Sequence, residues 1–366
     1  MRPLILIHRE AEAEVRAALP EARAVLHDPV FRKEWSFDER TRDFVAMLHA
    51  QVDPEVRLND RVLMTVATQC EARAFALWLG ELPAERKPWV VVCFQSDRWN
   101  RWGAEEHARQ MDEFRTLAAD LAALVPADQR RLLFCSPTQG LTTELAGLLR
   151  QPVAVAPMAM DYDGMETLAA SRPERLDRPP RVAVVGGARE EKGSHKVRPV
   201  VRACRASGTA LDFVVQLANE GLSPRDWEDL AGVATEPGVT VVHGALERHR
   251  YLRLLADSDV LLLPYDRLPY RQRGSGILAE AVAAGMPVIV PDGTWAAEQV
   301  DEGKAAGVAY AGDGPESIAA ALGRCAAEIE PLRARARACA PAWMRSQSLQ
   351  AFLDWMEGEI AERTTD

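Results

Sequence analysis

The chain has 366 residues, a length that suggests two domains of ordinary size with a core each. Hydrophobic residues make up 48% and charged residues 27%, the balance of a globular chain and not of a disordered one. A formal net charge of −10 argues against a general nucleic-acid binder, which carries a basic excess.

The first strand is expected at residues 4–8. Its apolar core, Leu4-Ile5-Leu6-Ile7, is too short for the apolar region of a signal peptide. No stretch approaches the roughly eighteen apolar residues of a membrane helix. Further strands are expected at 61–66, 90–94, 132–135 and 153–155. Between them, 38–52, 72–79, 105–124 and 142–149 place apolar residues at helical spacing. Such alternation predicts a parallel sheet covered by helices on both faces. Residues 161–180 lack a regular period and contain Arg178-Pro179-Pro180, so a linker is expected there.

The pattern then restarts. Strands are expected at 182–185, 211–215, 240–242, 260–263, 288–290 and 308–310, with helices in the intervals. The last thirty residues read as helices, with an apolar stripe of Leu349, Phe352, Leu353, Trp355 and Met356. The domains expected are therefore 1–160, 181–340 and a final helix over 341–366. The six cysteines (Cys70, Cys93, Cys135, Cys204, Cys325, Cys339) form no Cys-x-x-Cys pair. They read as free thiols in a reducing cytosol, which places the protein in the cytoplasm.

The most informative stretch runs from Tyr270 to Val290. An apolar strand leads into Gly274-Ser275-Gly276, which opens a helix, and Gly285-Met286-Pro287 closes that helix before another strand. Strand, glycine loop and helix N-terminus build an anion site from free N–H groups and the helix dipole. The amides of Ser275, Gly276 and Ile277 suit a phosphate. Glu280, about one turn into the helix, stands where a carboxylate can accept hydrogen bonds from a ribose. Arg271 and Arg273 flank the loop.

This segment resembles the donor-binding part of group 1 (family 4) glycosyltransferases of the GT-B fold. The likeness covers roughly residues 180–312 and rests on the glycine loop, Glu280-Ala281 and the following Ala-x-Gly-x-Pro-Val. It implies an α/β chain of two Rossmann-like domains in a GT-B arrangement, with a C-terminal helix crossing back to the first domain. It implies transfer of a sugar from a nucleotide sugar, with retention, as in bacterial-type glycan biosynthesis. Where the family carries a second Glu, eight residues before Glu280, this chain has Gln272.

The segment Val184-Val-Gly-Gly-Ala-Arg-Glu-Glu-Lys-Gly193 is similar to the Gly-Arg-x-x-x-x-Lys-Gly element of the same family. Lys192 and Gly193 match it. Gly187 takes the usual Arg position, and Arg189, two residues on, is its substitute. When the bond to a nucleoside diphosphate breaks, negative charge develops on the leaving group. Arg189, Lys192 and backbone amides can stabilise that charge. A dinucleotide Gly-x-Gly-x-x-Gly loop fails here, because no third glycine follows Gly186-Gly187 in register. His243 and Gly244 stand where the family supports the nucleobase. No metal site stands out, and the resemblance implies none: the leaving diphosphate takes the acceptor proton, and no cofactor beyond the donor is expected.

In the first half, the family's glycine-rich acceptor loop falls at His8-Arg9-Glu10, which has no glycine. Thr68 reads as a helix N-cap. The loop Phe94-Gln-Ser-Asp-Arg-Trp-Asn-Arg-Trp-Gly103 follows a predicted strand, where ligand clefts form. Trp99 and Trp102 can stack on sugar rings, and Asp97 can accept from a sugar hydroxyl. The partners implied are a nucleotide sugar and a carbohydrate, lipid-linked or protein acceptor, with no nucleic acid and at most peripheral membrane contact. A binding or scaffold protein that has lost catalysis, and a nucleotide-sugar epimerase, are the alternatives.

Overall fold

A computed structural model describes residues 4–8, 23–27, 35–96, 103–218 and 222–365. The chain divides into two compact units, 1–156 with 354–366, and 157–353. No helix among the described residues is long and apolar enough to cross a membrane.

The first unit holds a six-stranded sheet of β1 (Leu4–His8), β2 (Arg23–His27), β3 (Arg61–Met64), β4 (Trp89–Cys93), β5 (Leu132–Ser136) and β6 (Val153–Val155). All pairings are parallel, in the order β2-β1-β3-β4-β5-β6. The edge strand β2 was not expected. Its sequence, Arg-Ala-Val-Leu-His, has three apolar residues between charged or polar ends, too little pattern to register as a strand. Central β4 and β5 are buried along their whole length, as apolar runs covered on both faces must be. Helices Phe37–Met47, Gln69–Glu81, Ala104–Ala123 and Gln139–Leu149 supply the cover. Ser36 and Thr68 start two of them with capping boxes to Glu39 and Glu71. Trp78, Phe75, Phe44 and Phe114 fill the core beneath. The final helix, Leu349–Thr365, belongs to this unit from Asp354 onward. There Glu357 Oε1 accepts from Arg61 Nε at 2.8 Å and Oε2 from Arg61 Nη2 at 2.6 Å.

The second unit holds β7 (Arg181–Val184), β8 (Asp212–Leu217), β9 (Val239–His243), β10 (Val260–Leu262), β11 (Val288–Pro291) and β12 (Gly307–Tyr310). They too are parallel, in the order β12-β11-β10-β7-β8-β9. The chain enters at β7, builds outward to β9, then returns to β10 and builds the other way. The strand order therefore reverses between neighbours β7 and β10. Open α/β sheets bind ligands outside the carboxyl ends of the strands at such a switch point.

Residues 161–180 fold with this unit. Met165 and Leu168, on the short helix Met165–Ser171, are buried in its core. The helix is too short for its period to show in sequence. Beyond it, the buried Arg172 gathers three backbone carbonyls: Ala284 at 2.5 Å, Ser258 at 2.7 Å and Leu255 at 2.9 Å.

Candidate functional site

The two loops at the switch point are fastened to each other. The loop after β7 runs through Gly186, with φ of +98°, into a short 3-10 turn at Glu190–Lys192 and then Gly193, with φ of +66°. Only glycine takes such angles without strain. Gly193 sits against the backbone after β10, and a Cβ there would overlap the Pro264 carbonyl. The Asp266 N–H donates to the Glu191 carbonyl at 3.0 Å, and Lys196 Nζ donates to Asp266 Oδ1 at 2.6 Å.

Gly186 marks where two predicted residues, Lys192 and Ile277, meet. A Cβ on Gly186 would overlap Ile277 Cδ1 and come within 3.2 Å of Lys192 Nζ. The Lys192 ammonium thus lies beside the first turn of helix Gly276–Ala283. Ser275 caps that helix: its Oγ accepts from the Leu278 N–H at 3.2 Å. The Tyr265 hydroxyl lies 3.4 Å from the same Oγ, and the Tyr265 ring stacks on Tyr270 at 4.0 Å. A cation, a glycine turn and a capped helix start are thereby collected at the carboxyl ends of β7 and β10. Together they can hold a diphosphate.

Arg273 and Arg189 both face Glu191. Glu191 Oε1 is 3.5 Å from Arg189 Nε and 3.9 Å from Arg273 Nη1. The Arg273 guanidinium also lies 5.1 Å from the centre of the Tyr270 ring. Gly187 lies in the same loop, half-buried.

Glu280 is held from the neighbouring helix, Arg248–Ala256. Arg248 Nη1 donates to its Oε1 at 2.9 Å, and the Tyr251 hydroxyl donates to its Oε2 at 2.7 Å. Each carboxylate oxygen has two acceptor sites, so one per oxygen remains for a hydroxyl such as a ribose presents. Burial, and then the Glu280 charge, push the Tyr251 phenol well above its ordinary pKa, so it remains a donor. Arg248 Nη2 also donates to the carbonyls of Asp163 at 3.0 Å and Asp161 at 3.5 Å. Asp161 Oδ1 in turn accepts from the Asp163 N–H at 3.0 Å.

His243 ends β9 and is exposed, as is Gly244, whose φ is +76°. Gln216, near the end of β8, joins this loop to the first one. Its Oε1 accepts from the Gly186 N–H at 2.8 Å, and its Nε2 donates to the Gly244 carbonyl at 2.9 Å.

Sequence reasoning missed Gln216, Arg248, Tyr251 and Glu191. Two signals were present. Gln216 is a polar residue in an otherwise apolar half-strand, Phe213-Val-Val-Gln-Leu217. Arg248 and Tyr251 are three apart, on one helix face. Trp295 is a core residue, 6.3 Å from Trp343 between ring centres. Asp97, Trp99 and Trp102 lie outside the described residues, as do Arg9 and Glu10. Among the described residues no three His, Cys, Asp or Glu side chains gather as a metal site would require.

Residues 179–328 match the family model described as Glycosyl transferases group 1. No curated protein matches the sequence. Among solved structures, the chain is similar to a glycosyltransferase from Rickettsia africae ESF-5. The TM-score is 0.68 at 10% identity, over 100% of this chain and 91% of that one. It is similar to Anabaena HepE in complex with UDP, with a TM-score of 0.68 at 11% identity over 98% and 92% of the two chains. A UDP-forming α,α-trehalose-phosphate synthase from Burkholderia xenovorans, in complex with glucose-6-phosphate, gives 0.63 at 14% identity over 96% and 81%. The fold is GT-B, and residues 179–328, within the second unit, match the group 1 glycosyltransferase model.

Proposed function

We propose that the second unit binds a nucleotide sugar and that the enzyme passes the sugar to an acceptor hydroxyl with retention of configuration. The observation that carries this reading is the meeting of Gly186, Lys192 and Ile277 beside the Ser275 cap at the switch point. In this reading Lys192, Arg189 and the amides of Ser275, Gly276 and Ile277 hold the diphosphate, with Gly187 and Gly193 shaping the turn around it. Arg273 contacts phosphate or sugar. Glu280, held by Arg248 and Tyr251, accepts from the ribose, and His243 and Gly244 support the base. The acceptor oxygen bonds to the anomeric carbon as the carbon–oxygen bond to the diphosphate breaks. The acceptor proton passes to the leaving diphosphate. Lys192 and the amides stabilise its charge, so the transfer proceeds without a divalent metal.

UDP is the first nucleotide to test, since HepE is solved with UDP and with UDP-glucose. The acceptor is a carbohydrate, a lipid-linked glycan or a protein, met in the cytoplasm with at most peripheral membrane contact. The six free cysteines suit a reducing compartment. Titration with UDP, GDP and ADP in the presence of a chelator tests the donor site. Binding to one of them supports the reading. Folded protein that binds none overturns it, and binding only after a divalent metal is added overturns the metal-free part.

A second reading keeps the site and removes the transfer. Gln272, in the place of the family's other acid, favours it. Nucleotide binding with no donor consumption across an acceptor panel selects this scaffold reading. Donor converted to its epimer with no acceptor present selects an epimerase.

A further inference from the structure

Gln216 is about 8% exposed, inside a strand whose other described side chains from Phe213 onward are buried and apolar. A carboxamide in such a place is costly unless both of its ends are hydrogen-bonded. Here both ends are bonded, and both partners are backbone groups of functional loops. The Gly186 N–H is a donor only and the Gly244 carbonyl an acceptor only, so the orientation of the amide is forced. Gly186 follows β7 and Gly244 follows β9, the strands on either side of β8. One side chain of β8 therefore joins the loop beside Lys192 to the loop beside His243. Both glycines have positive φ, and glycine is the residue with most conformational freedom to lose. Loops of this kind hold one shape when something fixes them from outside.

We propose that Gln216 is a positioning residue that couples the two ends of the donor site. Ordering the Gly186 loop around a diphosphate orders the Gly244 loop through the carboxamide, and the base contact forms on a loop already fixed. Occupancy of either end thereby favours the other, a coupling that needs no large movement. The inference rests on the donor-site reading above.

The probes are uridine and inorganic pyrophosphate, the two halves of UDP. If GDP or ADP is the diphosphate that binds, guanosine or adenosine replaces uridine. The nucleoside is titrated with and without saturating pyrophosphate. In the natural protein, pyrophosphate tightens nucleoside binding by about fivefold or more, the low end of common coupling strengths. In Gln216→Met, which keeps the bulk and loses both hydrogen bonds, that ratio falls to about one. A general loosening of the fold would weaken each ligand and leave the ratio in place. Gln216→Asn, one methylene shorter and unable to span both loops, serves if the Met variant does not fold. If the natural protein binds a nucleoside diphosphate but shows a ratio of one, the coupling is absent. If the ratio persists in a folded variant, Gln216 does not carry it. If no diphosphate binds at all, the donor-site reading fails first.

Discussion

The Tyr251 hydroxyl donates to Glu280 Oε2 at 2.7 Å, across two helices that begin after different strands. Arg248, three residues before Tyr251, takes the other carboxylate oxygen at 2.9 Å. Glu280 sits on a helix buried on most sides, and a lone carboxylate there would have several rotamers available. Two donors from one neighbouring face leave it one orientation. A group held in place before its ligand arrives loses less entropy on binding.

That relationship makes Tyr251→Phe informative. The variant leaves Glu280 with Arg248 alone and lets its carboxylate turn. Nucleoside and nucleoside diphosphate affinity should both fall by about tenfold, roughly 1.4 kcal/mol. Pyrophosphate affinity should stay unchanged. Calorimetric titration of the three ligands checks it. Equal loss for all three would show a general loosening, and no loss for any would remove Glu280 from the ribose contact.

Lys192→Ala should give the opposite profile. Its ammonium is placed beside Gly186 and the helix start, where the phosphates are expected. Diphosphate binding should weaken by about 1.5–3 kcal/mol, the range for a hydrogen bond to a charged group. Free nucleoside should bind nearly as before. Unchanged diphosphate affinity would reduce the loop to a structural turn.

Gly186→Ala tests the loop shape itself. Alanine resists a φ of +98°, and its methyl group would overlap Ile277 Cδ1. Strain of this kind costs about 1–3 kcal/mol of stability. The loop should shift away from Ile277 and take Lys192 with it, lowering pyrophosphate affinity by about tenfold, or roughly 1.4 kcal/mol. Adding Ile277→Ala removes the overlap and leaves the φ strain, so affinity should recover in part. A Gly186→Ala protein with natural affinity would show that the loop tolerates other shapes.

The sequence revealed what is written locally. Gly186, Gly193 and Gly244 all adopt positive φ, and that demand shows in the residue type itself. Strands β10 and β11 are buried throughout and stand out as apolar runs. The sequence could not reveal pairings between distant residues. Gln216 and Gly186 are 30 residues apart, Arg248 and Glu280 are 32 apart, and Arg172 and Ala284 are 112 apart. A polar residue facing an unknown partner looks the same in sequence as one facing water. Residues 161–180 read as a linker for the same reason, because the purpose of Arg172 appears only when the helices it joins are side by side.

Arg172 supplies the last prediction. Its guanidinium satisfies the carbonyls of Leu255, Ser258 and Ala284, at the C-terminal ends of the helices carrying Tyr251 and Glu280. Carbonyls at helix ends have no partner within the helix, and buried ones need a donor from elsewhere. Burial pushes the guanidinium down to about 10, still far above neutral pH, so the fork stays charged and fully donating. Arg172→Met keeps a long apolar stem and takes this donor from the Ser258 and Ala284 carbonyls, while the Leu255 carbonyl keeps the Ser258 N–H at 3.2 Å. The cost should be about 3–5 kcal/mol, since each unsatisfied group costs roughly 1–3 and the chain relaxes in part. For a unit of this size that lowers the melting temperature by roughly 6–20 °C. Arg172→Lys should recover only part of it, because an ammonium cannot reproduce the planar fork. Nucleotide affinity at low temperature should fall as well, since the helices holding Glu280 and Tyr251 lose their common anchor. A Met variant that melts within about 2 °C of the natural protein, less than 1 kcal/mol, would mean that other donors serve these carbonyls. The segment 161–180 would then be the passive connection that its sequence suggests.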